Sequence, residues 1–285
     1  MLNSILKTAL YPGSLRQAAV RKILGRCPRS WLRTLSYKAL VEGSAVERPA
    51  YGYCMYNAAQ LAGQLGHKVI SAIEFGVAGG NGLVAAERHA REITRELGVE
   101  FQIYGFDCAE GLPTPADYRD LPFVWQRGFY PMDQEALSKR LTKAQLIIGN
   151  VRQTCAAFFA LHDPAPIGCM FWDLDFYSST MDAFQIFEGE CKYFLPRLSM
   201  YFDDIMGIEC SDFTGERLAM ADFNARSRHA KIARDCSAGF QHFPHVWKHK
   251  MFVYHNFAHP DYCRFVSSNI QQPPLRRLSA KIGGT

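Results

Sequence analysis

Five short β-rich runs in this chain each end on a glycine or an aspartate, and helical stretches separate them. The runs are Val69–Phe75 before Gly76, 101–106 before Asp107, Gln145–Ile148 before Gly149, Ile167–Trp172 before Asp173, and 200–202 before Asp203-Asp204. The intervening segment 82–97 carries Leu83, Ala86, Ala90, Ile93 and Leu97, the 3-4-3-4 spacing of a helix stripe. Alternation of this kind predicts an α/β domain with a mainly parallel sheet. Two more strands are expected at 240–243 and 251–255, which would make seven. Ligands of open α/β sheets bind outside the carboxyl ends of the strands. The glycines and aspartates that end these runs therefore belong to one mouth.

The chain has 285 residues, 48% of them hydrophobic and 21% charged. That suffices for one large buried core and excludes a largely disordered chain. The longest uncharged stretch, 49–67, is broken by Gly52, Asn57, Gln60, Gly63, Gln64 and Gly66, so no membrane-spanning helix is expected. Charge is uneven. Residues 1–50 hold nine Lys or Arg against two Glu, whereas 51–270 hold twenty basic and twenty-five acidic residues. A basic arm on a mildly acidic body argues against a nucleic-acid groove. Nine cysteines with no C-x-x-C pair point to free thiols in a reducing compartment, the cytoplasm.

The expected organisation is a basic helical arm over 1–50, the α/β domain over 51–270 and a flexible tail over 271–285. In the arm, Leu2, Ile5, Leu6, Ala9 and Leu10 form one helical stripe that Pro12-Gly13 ends. Three roles stay open for it: packing on the domain or on a second subunit of a homo-oligomer, peripheral contact with anionic lipid, or organelle targeting.

The sharpest motif is Glu74-Phe75-Gly76-Val77-Ala78-Gly79-Gly80-Asn81-Gly82, between a strand and an amphipathic helix. Its small residues let a ligand approach the backbone, and the helix start offers free N–H groups. Ala78 stands where a dinucleotide G-x-G-x-x-G would need its second glycine. Asp107, at the next strand end, has two carboxylate oxygens that could accept from a ribose diol. Asp173 and Asp175 would share a face if their strand continued. Asp175 together with Asp203 and Asp204 makes a candidate hard-metal site, since Mg²⁺ takes carboxylate oxygens. Ser179 and Asp182 read as an S-x-x-D helix cap. His242, His245, His249, His255 and His259 invite a zinc reading, but aromatic residues interleave them and packing roles are expected instead.

An acid two residues before the first glycine of such a loop resembles motif I of class I S-adenosylmethionine-dependent methyltransferases. In order along the chain stand Glu74-Phe-Gly-Val-Ala-Gly-Gly, Phe106-Asp107 with Glu110-Gly111-Leu112-Pro113, and Gly149 followed by Thr154. Then come Asp173-x-Asp175-x-Tyr177-x-Ser179-Thr180, Asp203-Asp204 and Gly215-Glu-Arg-Leu-Ala-Met-Ala-Asp-Phe223. Over residues 70–225 this series resembles the macrocin O-methyltransferase family, although Leu198-Ser199-Met200 stands where that family has Gly-Gly. The resemblance implies a Rossmann-like class I methyltransferase fold with helices on both sheet faces. It implies S-adenosyl-L-methionine contacts from Glu74, Gly76, Ala78, Gly80, Asp107, Glu110 and Asp173. It implies Mg²⁺ held by Asp175, Asp203 and Asp204, with Asp175 also the base, and a small-molecule hydroxylated acceptor such as a sugar. Two other classes stay open: a metal-independent methyltransferase or hydroxylase-like enzyme on the same scaffold, and a cofactor-binding protein without catalysis.

Overall fold

The computed structural model describes residues 36–239 and 245–266. Expectations for the first 35 residues, for a strand at 240–243, for His242 and for the tail lie outside them. In chain order the elements are α1 (Tyr37–Glu42), α2 (Pro49–Leu65), β1 (Val69–Phe75), α3 (Asn81–Leu97) and β2 (Glu100–Asp107). There follow α4 (Gln134–Ser138), β3 (Gln145–Ile148), α5 (Val151–His162), β4 (Ile167–Trp172), α6 (Tyr177–Ala183) and β5 (Phe194–Phe202). The last are α7 (Gly215–Arg226), β6 (Ala230–Arg234), α8 (Cys236–Gly239) and β7 (Met251–Asn256).

Among the described residues seven strands form one sheet in the order β3-β2-β1-β4-β5-β7-β6. All neighbours are parallel except β7, which runs antiparallel to both β5 and β6. The expected Rossmann-like, mainly parallel seven-stranded sheet is borne out. The sixth strand is Ala230–Arg234, on the far side of β7. β5 is longer than the run at 200–202 because it begins at Phe194 and passes through Pro196. Its register on β4 slips there, from Ile167↔Phe194 to Cys169↔Ser199. A residue without an N–H fits where a ladder is interrupted.

Period-two alternation divides the core. Ile70 and Ala72 of β1, with Cys169 and Phe171 of β4, pack beneath α2 and α3. Ile73 and Phe75, with Met170 and Trp172, pack on the opposite face against residues of α5, α6 and α7. Helices thus cover both faces, as nearly continuous apolar strands require. α3 begins one residue before the predicted 82–97 and ends on Gly98 in the left-handed conformation, a common helix stop.

The stretch ahead of the sheet packs on the domain. Tyr37 bonds Glu96 and His89 of α3, and the indole Nε1 of Trp247 donates to Ser44 Oγ at 2.8 Å. No helix among the described residues is long and apolar enough to cross a membrane. The eight described cysteines are free thiols.

Candidate functional site

The strand ends meet at one cavity of about 470 Å³, lined by Gly76, Ala78, Asp107, Gly149, Asp173, Asp175, Asp203 and Asp204 among others. That volume lies in the range of roughly 300–1,000 Å³ usual for small-molecule sites.

The glycine loop folds tightly against the sheet. Gly76 has φ +81°, and a Cβ there would stand 1.9 Å from the Asp173 carbonyl oxygen, so only glycine fits between the ends of β1 and β4. Asp107 holds the loop from the other side. Its Oδ2 accepts from the Val77 and Ala78 N–H groups, both at 2.8 Å, and its Oδ1 accepts from Ala109 N–H at 2.6 Å. Oδ1 keeps a lone pair for a ligand hydroxyl.

Glu74 lies beneath the loop rather than in the cavity wall. It is buried, and Tyr51 donates its hydroxyl to Oε1 at 2.6 Å. Its other oxygen, Oε2, has no hydrogen-bond partner. Gly82 at the start of α3 packs so closely that a Cβ there would fall 1.7 Å from Oε1. Burial pushes the Glu74 carboxyl up to about 7, against the opposing pull of Tyr51 and Arg48. An acid whose pKa rises on folding holds its proton more tightly when folded. Its contribution is therefore full below pH ~4.5 and drains away as pH climbs to about 7. Glu74→Gln should abolish that part of the pH dependence. Between pH ~4.5 and ~7 wild type should lose roughly 3 kcal/mol relative to the variant in urea titrations. Parallel pH curves for the two proteins would show that Glu74 is not the group responsible.

The acids at the ends of β4 and β5 converge, but not as the strand pattern suggests. β4 ends at Trp172, and the chain turns at once. Phe176 N–H donates to the Leu174 carbonyl at 2.5 Å around Asp175, whose φ is +59°. That is a γ-turn of the rare positive-φ kind. Asp175 therefore leaves the line of Asp173, and the carboxylates whose oxygens lie within 4.8 Å of one another are Asp173, Asp203 and Asp204. Asp175 is buried beside them, 6% exposed. Burial, then the charges of Asp204 and Asp203, push the Asp175 carboxyl up to about 8. Burial and Asp203 raise Asp204 to about 6, while burial and the surrounding acids push Asp173 well above the usual carboxylate range. Asp203 goes the other way. Burial would raise it, but Lys250, Tyr201 and Arg48 outweigh burial and hold it low. Asp204 Oδ2 is buried without a hydrogen-bond partner. Crowded acids with an unpartnered oxygen fit a hard cation.

Other placements differ from the expectations. Gly80 is covered by the Leu137 side chain, and Glu110 is exposed and outside the cavity lining. The Glu-Gly-Leu-Pro segment builds a wall: Leu112 N–H donates to the Phe129 carbonyl, Gly128 N–H donates to the Leu112 carbonyl, and Leu112 and Pro113 line the cavity. Trp125, Phe129 and Tyr130 complete that wall. Ser179 is not a helix cap. α6 starts two residues earlier, after Phe176, and Ser179 lines the cavity instead. The reason is Asp120, fully buried, which accepts from both the N–H and hydroxyl of Ser178 at 2.8 Å and draws the helix start back. Among the described residues no histidine joins a metal-ligand set. His255 and His259 bond Tyr262 and the Phe194 carbonyl.

Three residues were given no role on the sequence alone. Glu216 is fully buried, and its carboxyl accepts from the Leu174 and Asp204 N–H groups, tying the exits of β4 and β5 together. Arg48, counted in the basic arm, stacks over Tyr51 at 5.3 Å and faces Glu74 and Asp173. Lys250 pairs with Asp203 at 2.6 Å. A glutamate in the first turn of a helix was the available signal for Glu216. Nothing local marks the two cations.

No protein-family profile and no curated protein matches the chain. Among solved structures, the calicheamicin methyltransferase CalS11 is 19% identical, covering 85% of this chain and 91% of its own with a TM-score of 0.48. The O-methyltransferase NovP is 13% identical, covering 72% and 77%, with a TM-score of 0.47. An O-methyltransferase from Bacillus cereus, solved with SAH, is 10% identical, covering 89% and 95%, with a TM-score of 0.38. Likenesses of this size carry no argument about activity, which has to come from the site itself.

Proposed function

We propose that this chain is an S-adenosylmethionine-dependent O-methyltransferase that uses Mg²⁺ and methylates a hydroxyl of a small or sugar-bearing molecule. One observation carries the reading: the glycine loop, Asp107 and the acidic cluster open into a single cavity. The order of motifs that resembles the macrocin O-methyltransferases supports the same choice.

The residues present fit both groups. The loop backbone at Gly76 and Ala78 and the free lone pair of Asp107 Oδ1 would hold the methionine and ribose parts of the cofactor. Asp173, Asp203 and Asp204 would hold the cation, which would supply charge to favour the alkoxide form of the acceptor. A sulfonium methyl is already activated, so the protein mainly positions the reactants, an effect worth up to about 7–11 kcal/mol. Glu216 keeps the two strand exits at a fixed separation, and Asp107 fixes the loop. Trp125, Phe129 and Tyr130 give the same cavity an aromatic wall against which an acceptor would pack. Asp175, at the cavity lining beside the cluster, takes the hydroxyl proton in this reading.

Calorimetric titration of S-adenosylmethionine into wild type and Asp107→Ala, with and without Mg²⁺, tests it. Micromolar binding is expected for wild type. The variant should bind tenfold to a hundredfold more weakly, as loss of a charge-assisted hydrogen bond worth about 1.5–3 kcal/mol predicts. Absence of binding under every condition would remove the methyltransferase reading.

A further inference from the structure

Of the three clustered acids, Asp203 is the one that already holds a cation. Lys250 Nζ stands 2.6 Å from Asp203 Oδ1 and donates also to the Asp203 carbonyl oxygen. The lysine side chain is 15% exposed and that of Asp203 35%, so water screens the pair only in part. Tyr201 donates its hydroxyl to the same Oδ1, and the Lys250 ammonium lies 5.9 Å from the Tyr201 ring. The placement follows from the sheet. β7 pairs antiparallel with β5 in the register Tyr201↔Met251, which sets Lys250 across from Phe202 and next to Asp203.

A divalent cation seated among Asp173, Asp203 and Asp204 would share Asp203 with this ammonium. In a half-buried site the effective dielectric is well below that of water, and a like charge a few ångströms away weighs heavily. Asp173 and Asp204 stay available, and Mg²⁺ commonly needs only one or two carboxylates. The lysine therefore opposes the metal without closing its site. It also leaves Asp203 neutralised when no metal is bound.

We propose that Lys250 is a positioning residue that sets the divalent-cation affinity of the Asp173–Asp203–Asp204 site by competing for Asp203. The inference rests on the metal reading above and adds a residue of this chain that tunes it. A purely structural lysine would affect folding but would not tighten metal binding when its charge is removed.

The test is calorimetric titration of Mn²⁺ into the full chain as wild type, Lys250→Met, Lys250→Gln and Lys250→Arg. Removing the charge should tighten binding at least about tenfold. Arginine should keep the wild-type affinity. Lys250→Gln carries the comparison if the methionine variant fails to fold. Equal or weaker binding in the neutral variants, with wild type binding Mn²⁺ measurably, overturns the role of Lys250 and leaves the metal site standing. Tightening in Lys250→Arg as well would also overturn it, since charge would not be the cause. Failure of all four proteins to bind Mn²⁺ overturns the metal reading and this inference with it. Binding by the neutral variants alone would support competition in its strongest form.

Discussion

Replacing Asp175 by asparagine is expected to lower turnover by roughly 10²–10⁴-fold, the usual contribution of a positioned general base, and to leave S-adenosylmethionine affinity unchanged. Asparagine suits the test for a structural reason. Asp175 sits at φ +59° in a tight turn, and asparagine is one of few residues other than glycine that adopt such a conformation readily. The variant therefore keeps the turn and the burial. What it loses is a carboxylate able to accept a proton. Alanine would disturb the turn as well and confuse the outcome. Single-turnover assays with bound cofactor separate binding from chemistry. Wild-type turnover in Asp175→Asn would move the base to another acid of the cluster, with Asp173 first in line. A backbone held in a sparsely populated conformation inside a cavity is an observation that points to function.

Trp172→Ala should be the most destabilising single change in the sheet. Trp172 is fully buried, stacked on Phe75 at 4.4 Å and Phe202 at 5.5 Å, with Phe184 edge-on at 4.8 Å. Emptying that position leaves a cavity among the rings of Phe75, Phe184 and Phe202, and large aromatic truncations of this kind cost about 3–5 kcal/mol. At roughly 2–4 °C per kcal/mol for a domain of this size, Tm should fall by roughly 6–20 °C. Trp172→Phe should cost far less. The indole N–H is buried without an acceptor, so its removal offsets part of the area lost. Denaturation of the two variants side by side checks the argument. Equal losses in both would mean that shape, and not the unpartnered N–H, controls this position. The position also matters to the site, because Trp172 is the last residue of β4 and the acidic turn follows it directly.

The chain's local patterns settled the fold. The short apolar runs Val69–Phe75, Gln145–Ile148 and Ile167–Trp172 and the helix stripe of Leu83 to Leu97 marked the strands and a helix that covers them. Those are effects of neighbours in sequence, where the periods of two and 3.6 residues act directly. The strand-end glycines and aspartates were legible for the same reason, and the structure gathers them at one mouth. Other features depend on segments that meet only after folding. The turn at Asp175 breaks the strand geometry that would have aligned it with Asp173, and Glu216 pins that turn from α7, more than forty residues away. Asp120 moves the start of α6 by bonding Ser178 across fifty-eight residues. Lys250 reaches Asp203 through an antiparallel register that the sequence does not encode locally. β6 forms at Ala230–Arg234 because β7 offers it an edge there. The sequence alone determined which glycines and aspartates end the strands and at which end of the sheet they stand. The tertiary structure decided which carboxylates come within reach of one another and which cations face them, because distances between charges are set by long-range packing and not by spacing along the chain.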